Sequence, residues 1–200
     1  MRWAHPHLPV PVVVASGSGE GVDWIVTRAI SAIPATDASL IAQPERIVKI
    51  LARGLRRFHE APVGECPFSF RLDAALDHVR SRAAAGAIDA ARDFHPEFQH
   101  LSVEAAVARL ERDRSDTEDL VVCHGDYCFP NVLVRGRGVA GFVDLGELAV
   151  ADRWWDLAVA TWSTTWNVGP GYEETFLEAY GATPDAARID YYRLLYDLAS

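Results

Sequence analysis

Lysine is nearly missing from this chain. Lys49 is its one lysine, and every other permanently cationic side chain is arginine. A mechanism that needs a lysine must use Lys49 or find one elsewhere. Positive charge as a whole is short: 28 acidic residues face 19 basic ones, a formal charge of −9. That balance argues against a nucleic-acid partner, whose phosphates need a basic face, and suits a cationic ligand. No apolar run reaches the roughly 18 residues that a membrane-spanning helix requires. Met1-Arg2-Trp3-Ala4-His5-Pro6 lacks the basic, apolar and small-residue zones of a signal peptide. Cysteine is limited to Cys66, Cys123 and Cys128, an odd number that makes no disulfide framework and is read as reduced thiols in a cytoplasm. A G-x-S-x-G elbow is absent, which removes the serine-hydrolase reading. Cys123, His124 and Cys128 have no second Cys/His pair to close a zinc site. The remaining histidines, His5, His7, His59, His78, His95 and His100, show no paired ligand spacing and are taken as surface or packing residues.

What is present is an ordinary globular composition, half hydrophobic, in a chain long enough to bury a core. Val10–Val14 reads as a strand, Ala15–Gly21 as a turn-rich break with Gly17-Ser18-Gly19 as the hairpin turn, and Trp24–Ile30 as a second strand. From Pro44 the pattern turns helical, with Ile47, Ile50, Leu51, Leu55 and Phe58 at three- and four-residue spacing. Lys49 falls on this helix as a solvated charge. Further helices are expected over about 72–85 and 103–112. Leu120–Cys123 reads as a strand, and Val132–Val134 with Val139–Val143 as a hairpin turned by Arg135–Gly138. Three more helices fill about 151–166, 171–180 and 184–198. Trp154, Trp155, Trp162 and Trp166 on the first of these read as core, with Trp166 within reach of a sugar ring. The order of elements is that of an α+β fold.

The chemistry sits in His124-Gly125-Asp126-Tyr127-Cys128-Phe129-Pro130-Asn131 and in Asp144-Leu145-Gly146, thirteen residues further on. Phosphoryl transfer from ATP needs a carboxylate to take the proton of the attacking hydroxyl, and hard oxygen ligands for Mg²⁺. Asp126 lies just past a strand end, on a loop where a base can face a substrate. Asn131 offers an amide oxygen five residues on, and the hairpin folds the strand-ending Asp144 back toward it. Each short motif is weak alone. Their joint occurrence in this strand, loop and hairpin order is specific.

These residues, with Val122-Cys123 before them and Val132-Leu133-Val134 after, resemble the catalytic loop of the aminoglycoside 3′-phosphotransferase family. The likeness continues through Gly141–Gly146, Val150–Ala158 and Tyr191–Leu195, and back to Leu55–His59 and Cys66-Pro67-Phe68. It implies a protein-kinase-like fold in which a truncated N-terminal β lobe, residues 1–30 with the hinge, joins a helical catalytic and substrate lobe, residues 31–200. By the same resemblance Asp126 is the catalytic base, and Asn131 and Asp144 hold magnesium. The strand at Thr27, Arg28, Ala29 and Ile30 offers its backbone to the adenine of ATP. His124 supports the loop backbone, and Asp156 braces it. Asp93, Glu97 and Asp197 are the carboxylates placed to grip a cationic aminosugar.

The expected function is ATP- and magnesium-dependent phosphorylation of a hydroxyl on an aminoglycoside or similar small molecule. The alternative is a kinase-fold remnant without ATP turnover. The family's glycine-rich loop, strand lysine and helix glutamate have no counterpart here, so this chain is expected to turn over weakly or not at all. Its β piece is expected to expose a strand edge and apolar side chains. Glu147 and Trp162 stand where family members often carry arginines. Tyr196-Asp197 replaces a pair of acids, and the chain ends in Leu198-Ala199-Ser200 rather than an aromatic.

Overall fold

The computed structural model describes all residues from Met1 to Ser200. After a turn-rich start, strands β1 (Val13–Gly19) and β2 (Val22–Thr27) pair antiparallel. The register corrects the sequence reading. Gly17, Ser18 and Gly19 are strand residues opposite Trp24, Asp23 and Val22, and the turn is Glu20-Gly21, both at positive φ. A two-residue turn of that hand matches the twist of the flanking strands, so the hairpin closes later than the glycine cluster suggested. The second strand also stops at Thr27, leaving Arg28, Ala29 and Ile30 as connecting chain. The Arg28 N–H still reaches Val12, and the Ile30 carbonyl accepts from Ala32. As expected, this hairpin is apolar and open: Val14, Val22 and Ile25 are each more than half exposed.

Strand β3 (Ile33–Pro34) and the short helix α1 (Ala38–Ile41) lead to α2 (Pro44–Phe58). Pro44 opens α2, Glu45 lies in its first turn and Arg56 and Arg57 in its last, an arrangement that complements the helix dipole. Ile47, Leu51, Leu55 and Phe58 bury its inner face. Lys49 stands on the outer face, paired with Glu45 one turn back. Helices α3 (Leu72–Ala84), α4 (Ala90–Asp93) and α5 (Val103–Asp113) follow, with Ser102 capping α5 by accepting from the Ala105 N–H.

The central β structure is β4 (Leu120–Cys123), β5 (Val132–Arg135), β6 (Gly138–Phe142) and β7 (Ala149–Asp152). β5 and β6 form the expected hairpin, and β3 extends it on the β5 side. β4 pairs with β7, from Leu120 opposite Asp152 to Cys123 opposite Ala149. The helix expected from about 151 takes in the last two residues of β7, because all four of its residues are buried and a short apolar run carries no period. Asp152 ends β7 and also caps α6 (Arg153–Val168) by accepting from the Trp154 N–H, so strand passes to helix with no loop between. Helices α7 (Glu173–Tyr180) and α8 (Ala186–Ala199) complete the chain.

One continuous core runs from Ala4, Leu8 and Val10 through α2 and α6 to Leu194, Leu195 and Leu198 of α8. Phe58, fully buried at the end of α2, meets the Phe142 ring edge-on at 4.8 Å and His124 at 5.6 Å. That contact seats α2 directly beneath the loop that follows β4. No helix is long and apolar enough to cross a membrane, and all three cysteines are free.

Candidate active site

The segment after β4 turns sharply because Gly125 adopts φ +93°. A side chain there would be strained, and a Cβ would also lie 2.5 Å from that of Glu147. The turn is pinned by Asp156 on α6. This fully buried carboxylate accepts the His124 N–H at Oδ2 (2.7 Å) and the Gly125 N–H at Oδ1 (2.9 Å). Trp155 adds an indole N–H to the Gly125 carbonyl at 2.7 Å. The far end of the loop is held by the Phe129 N–H on Ser163 Oγ, and its middle by the Tyr127 hydroxyl on the Leu51 carbonyl. Both expected supports, His124 and Asp156, therefore act on the loop itself.

His124 is a neutral bracket. Its Nε2–H donates to the Val143 carbonyl at 2.9 Å while Nδ1 accepts the Asp126 N–H at 3.3 Å. Burial lowers its pKa, outweighing the nearby charges of Asp156, Asp126 and Asp144. The bracket ties the loop bearing Asp126 to the turn bearing Asp144.

Asp126 is half-buried and Asn131 buried. Asn131 Nδ2 donates to Asp126 Oδ2 at 2.8 Å and to the Asp126 carbonyl at 3.0 Å, which turns its amide oxygen away from that carboxylate. The Val143 N–H donates to the Asn131 carbonyl, holding the start of the Asp144 turn against the loop. Asp144 lies two residues beyond the end of β6 rather than at it, exposed and at φ +58°, a rare conformation for a residue other than glycine. Its carboxylate makes no hydrogen bond within the chain. Glu147 reports the crowding: its pKa is raised by desolvation first, then by the charges of Asp126, Asp144 and Asp156. The loop that bears Asp126 and Asn131 and the turn that bears Asp144 are thus tied together.

The other expected site residues are placed differently. Asp93 receives two hydrogen bonds from Arg92 and one from the Asp89 N–H. Glu97 accepts from the Trp162 indole at 3.1 Å and lies 3.6 Å from the Arg193 guanidinium. Asp197 is buried and accepts both the N–H and Nδ1 of His95, at 2.8 and 2.5 Å. Thr27 and Ile30 are half-buried and Arg28 and Ala29 exposed, on the chain that leaves the first hairpin. Ile30 packs against Gly141 of β6, so this segment borders the strand that leads to Asp144.

Residues 1–192 match the model of the phosphotransferase enzyme family. The chain belongs to that family. An aminoglycoside 3′-phosphotransferase of Streptomyces fradiae is 39% identical over 98% of this chain and 75% of its own length. The crystal structure of an aminoglycoside 3′-phosphotransferase of type VIII superposes with a TM-score of 0.86 at 34% identity, covering 98% of this chain and 76% of that one. A Streptomyces rimosus aminoglycoside phosphotransferase, solved with ADP and streptomycin, superposes at 0.82 with 28% identity, over 99% and 79%. The fold is accordingly protein-kinase-like, and this phosphotransferase-family chain spans about three quarters of each relative.

Two parts of the site in this phosphotransferase-family chain escaped the sequence reading. His59, read as a surface or packing residue, is buried and also hydrogen-bonded to Asp156. Tyr196, noted only as a replaced acid, donates its hydroxyl to Asp126 Oδ1 at 3.2 Å. Both act across long sequence separations. The one available signal for His59 was its place at the end of the family-like segment Leu55–His59.

Proposed function

We propose that this chain is an ATP- and magnesium-dependent phosphotransferase acting on a hydroxyl of an aminoglycoside or similar small molecule in the cytoplasm. The reading is carried by one observation: the Asp126 carboxylate is held by Asn131 on one oxygen, and the turn that bears the unpartnered Asp144 is tied to the same loop by the Val143 N–H on the Asn131 carbonyl. Asp126 takes the proton of the acceptor hydroxyl as that oxygen attacks the γ-phosphorus of ATP. The bond from phosphorus to the bridging oxygen breaks, and its electron pair leaves on ADP. Asn131 Nδ2 keeps the Asp126 carboxylate from rotating, so one lone pair stays aimed at the acceptor.

The Asn131 amide oxygen and the Asp144 carboxylate are hard oxygen donors that suit Mg²⁺, and these two residues would hold it. When bound, the metal offsets negative charge on the phosphates. Thr27, Arg28, Ala29 and Ile30 border the adenine through their backbone, within a nucleotide-side portion made by residues 1–30. Residues 31–200 form the catalytic portion. Asp197 and Glu97 shape the acceptor side by holding His95 and Trp162, and Asp93 by ordering the loop before them.

A coupled assay of ADP release with kanamycin or streptomycin as acceptor tests the proposal. Turnover, however slow, is expected to require acceptor and magnesium. Asp126→Asn is expected to lower it by about 10²–10⁴-fold with an unchanged melting temperature. Full activity in that variant sinks the assignment.

A further inference from the structure

The turn of the β5–β6 hairpin closes a cavity of about 700 Å³ against the outer face of α2. Arg46, Lys49 and Arg53 line it from α2 at one-turn intervals, and Arg137 lines it from the hairpin turn. Tyr172, at the entry to α7, adds an aromatic wall. The one acid on the lining is Glu45, which is already paired with Lys49. Asn131 precedes β5 and Asp144 follows β6, so both lie at the opposite end of the hairpin. The intervening strand spans about 13 Å at a rise of roughly 3.3 Å per residue. The cavity shares no residue with the one that Asp126 lines.

Three of these cations have no carboxylate. Arg46 is oriented by two neutral oxygens, Gln43 Oε1 at 3.1 Å and the Gly136 carbonyl at 2.8 Å, which fix its guanidinium and leave its charge uncompensated. Arg53 and Arg137 are exposed and make no hydrogen bond or ion pair within the chain. Exposed arginines elsewhere are placed differently: Arg71, Arg92 and Arg114 each meet a carboxylate. Acids outnumber bases by 28 to 19 over the whole chain, so partners were not scarce. Like charges one turn apart on a helix repel. The cavity therefore keeps a local positive potential on a molecule that is negative overall, and a bound anion relieves the repulsion.

We propose that this cavity binds a small polyvalent phosphate, a di- or triphosphate chain, through Arg46, Arg53 and Arg137. A guanidinium presents a planar fork that pairs with phosphate oxygens two at a time, and it stays charged at any ordinary pH. Cations converging from a helix and a turn suit a chain of charged groups better than a single one. The volume is that of a small-ligand pocket. A nucleic-acid backbone is disfavoured, because the net charge of −9 repels any polyanion that extends beyond the cavity. Binding here requires nothing of Asp126 or of the nucleotide side.

Calorimetric titration with inorganic triphosphate in EDTA tests the site. Without magnesium the carboxylates of Asp126, Asp144 and Glu147 repel phosphate, which keeps the catalytic loop out of the reading. One equivalent per chain is expected, with an affinity that falls at least about tenfold as salt rises from about 20 to 200 mM. The double variant Arg53→Gln, Arg137→Gln is expected to weaken binding at least about tenfold at an unchanged melting temperature, since neither side chain has a partner to lose. Arg57→Gln, one turn further along α2 and outside the cavity, is expected to change affinity less than about twofold. ATP under the same conditions separates the two sources of such a chain. Tyr172→Leu weakens ATP and spares triphosphate if a nucleotide stacks its base on the ring, and spares both if the ligand is a free phosphate chain. No saturable triphosphate binding, binding that survives the double variant, or an equal loss in Arg57→Gln overturns the proposal.

Discussion

Nε2 of His59 and Oδ2 of Asp156 meet 2.9 Å apart in the core, joining α2 to α6 through a carboxylate that also carries the loop before Asp126. Tyr180 completes the chain at 2.8 Å from His59 Nδ1. Burial pushes the Tyr180 phenol up to about 12, so it keeps its proton and donates to Nδ1, which leaves the Nε2–H of His59 to face Asp156. Asp156→Ala removes the shared acceptor and strands three buried donors. A loss of about 3–5 kcal/mol is expected, since each buried donor left unsatisfied costs about 1–3 kcal/mol. Urea denaturation measures it, and a loss under about 1 kcal/mol would mean that the loop is held by other contacts.

Gly125→Ala combines a left-handed backbone with the collision against Glu147. The strain alone costs about 1–3 kcal/mol. The loop must also shift, so turnover is expected to fall more than stability does. Circular-dichroism melting set beside ADP release separates the two effects, and equal activity in this variant would show that the turn is not needed in its present form.

Asp144→Asn tests the proposed magnesium-holding role of this turn without touching the fold. Asn tolerates positive φ, and Asp144 is exposed with no partner, so stability is expected to stay within about 0.5 kcal/mol. The magnesium concentration for half-maximal activation is expected to rise at least about tenfold, the loss of one of the few charged ligands that such sites provide. An unchanged magnesium titration removes Asp144 from the metal site.

Acid is expected to destabilise the protein through His124. Its folded pKa lies below the ordinary 6.5, with burial the leading cause. Between those two values the unfolded chain binds more protons than the native state. The contribution of His124 is therefore complete above pH 6.5 and is lost as pH falls through the folded value. Melting temperatures at about pH 7.5 and 5.5 measure the drop, and His124→Gln is expected to show a shallower one. Taking the difference between the two proteins cancels Glu147 and Asp152. Their raised pKa values add stability at low pH that is lost as pH rises.

The three thiols are expected to react in a fixed order. Burial, then the charge of Asp126, pushes Cys128 up to about 12, and burial pushes Cys123 well above its usual value. Only thiolate alkylates, so iodoacetamide near neutral pH is expected to modify Cys66 first and Cys123 last. Peptide mass mapping over a time course reads the order. Early modification of Cys128 would show that the loop opens.

The pattern of local signals determined a large part of this protein. The apolar spacing in α2, the turn residues between β5 and β6, and the offsets among Asp126, Asn131 and Asp144 are properties of short segments, so sequence alone placed them. Where two local signals competed, it misplaced them: Gly17 and Gly19 read as a turn but pair as strand, and the buried run of β7 carried no period to separate it from α6. Only the tertiary structure decided which groups meet across long separations. His59 reaches Asp156 over 97 residues and His95 reaches Asp197 over 102, and each partnership sets whether a carboxylate is free or spent. No local pattern encodes such a pairing, because a buried charge is satisfied by whatever donor the packing of distant helices brings within hydrogen-bond reach.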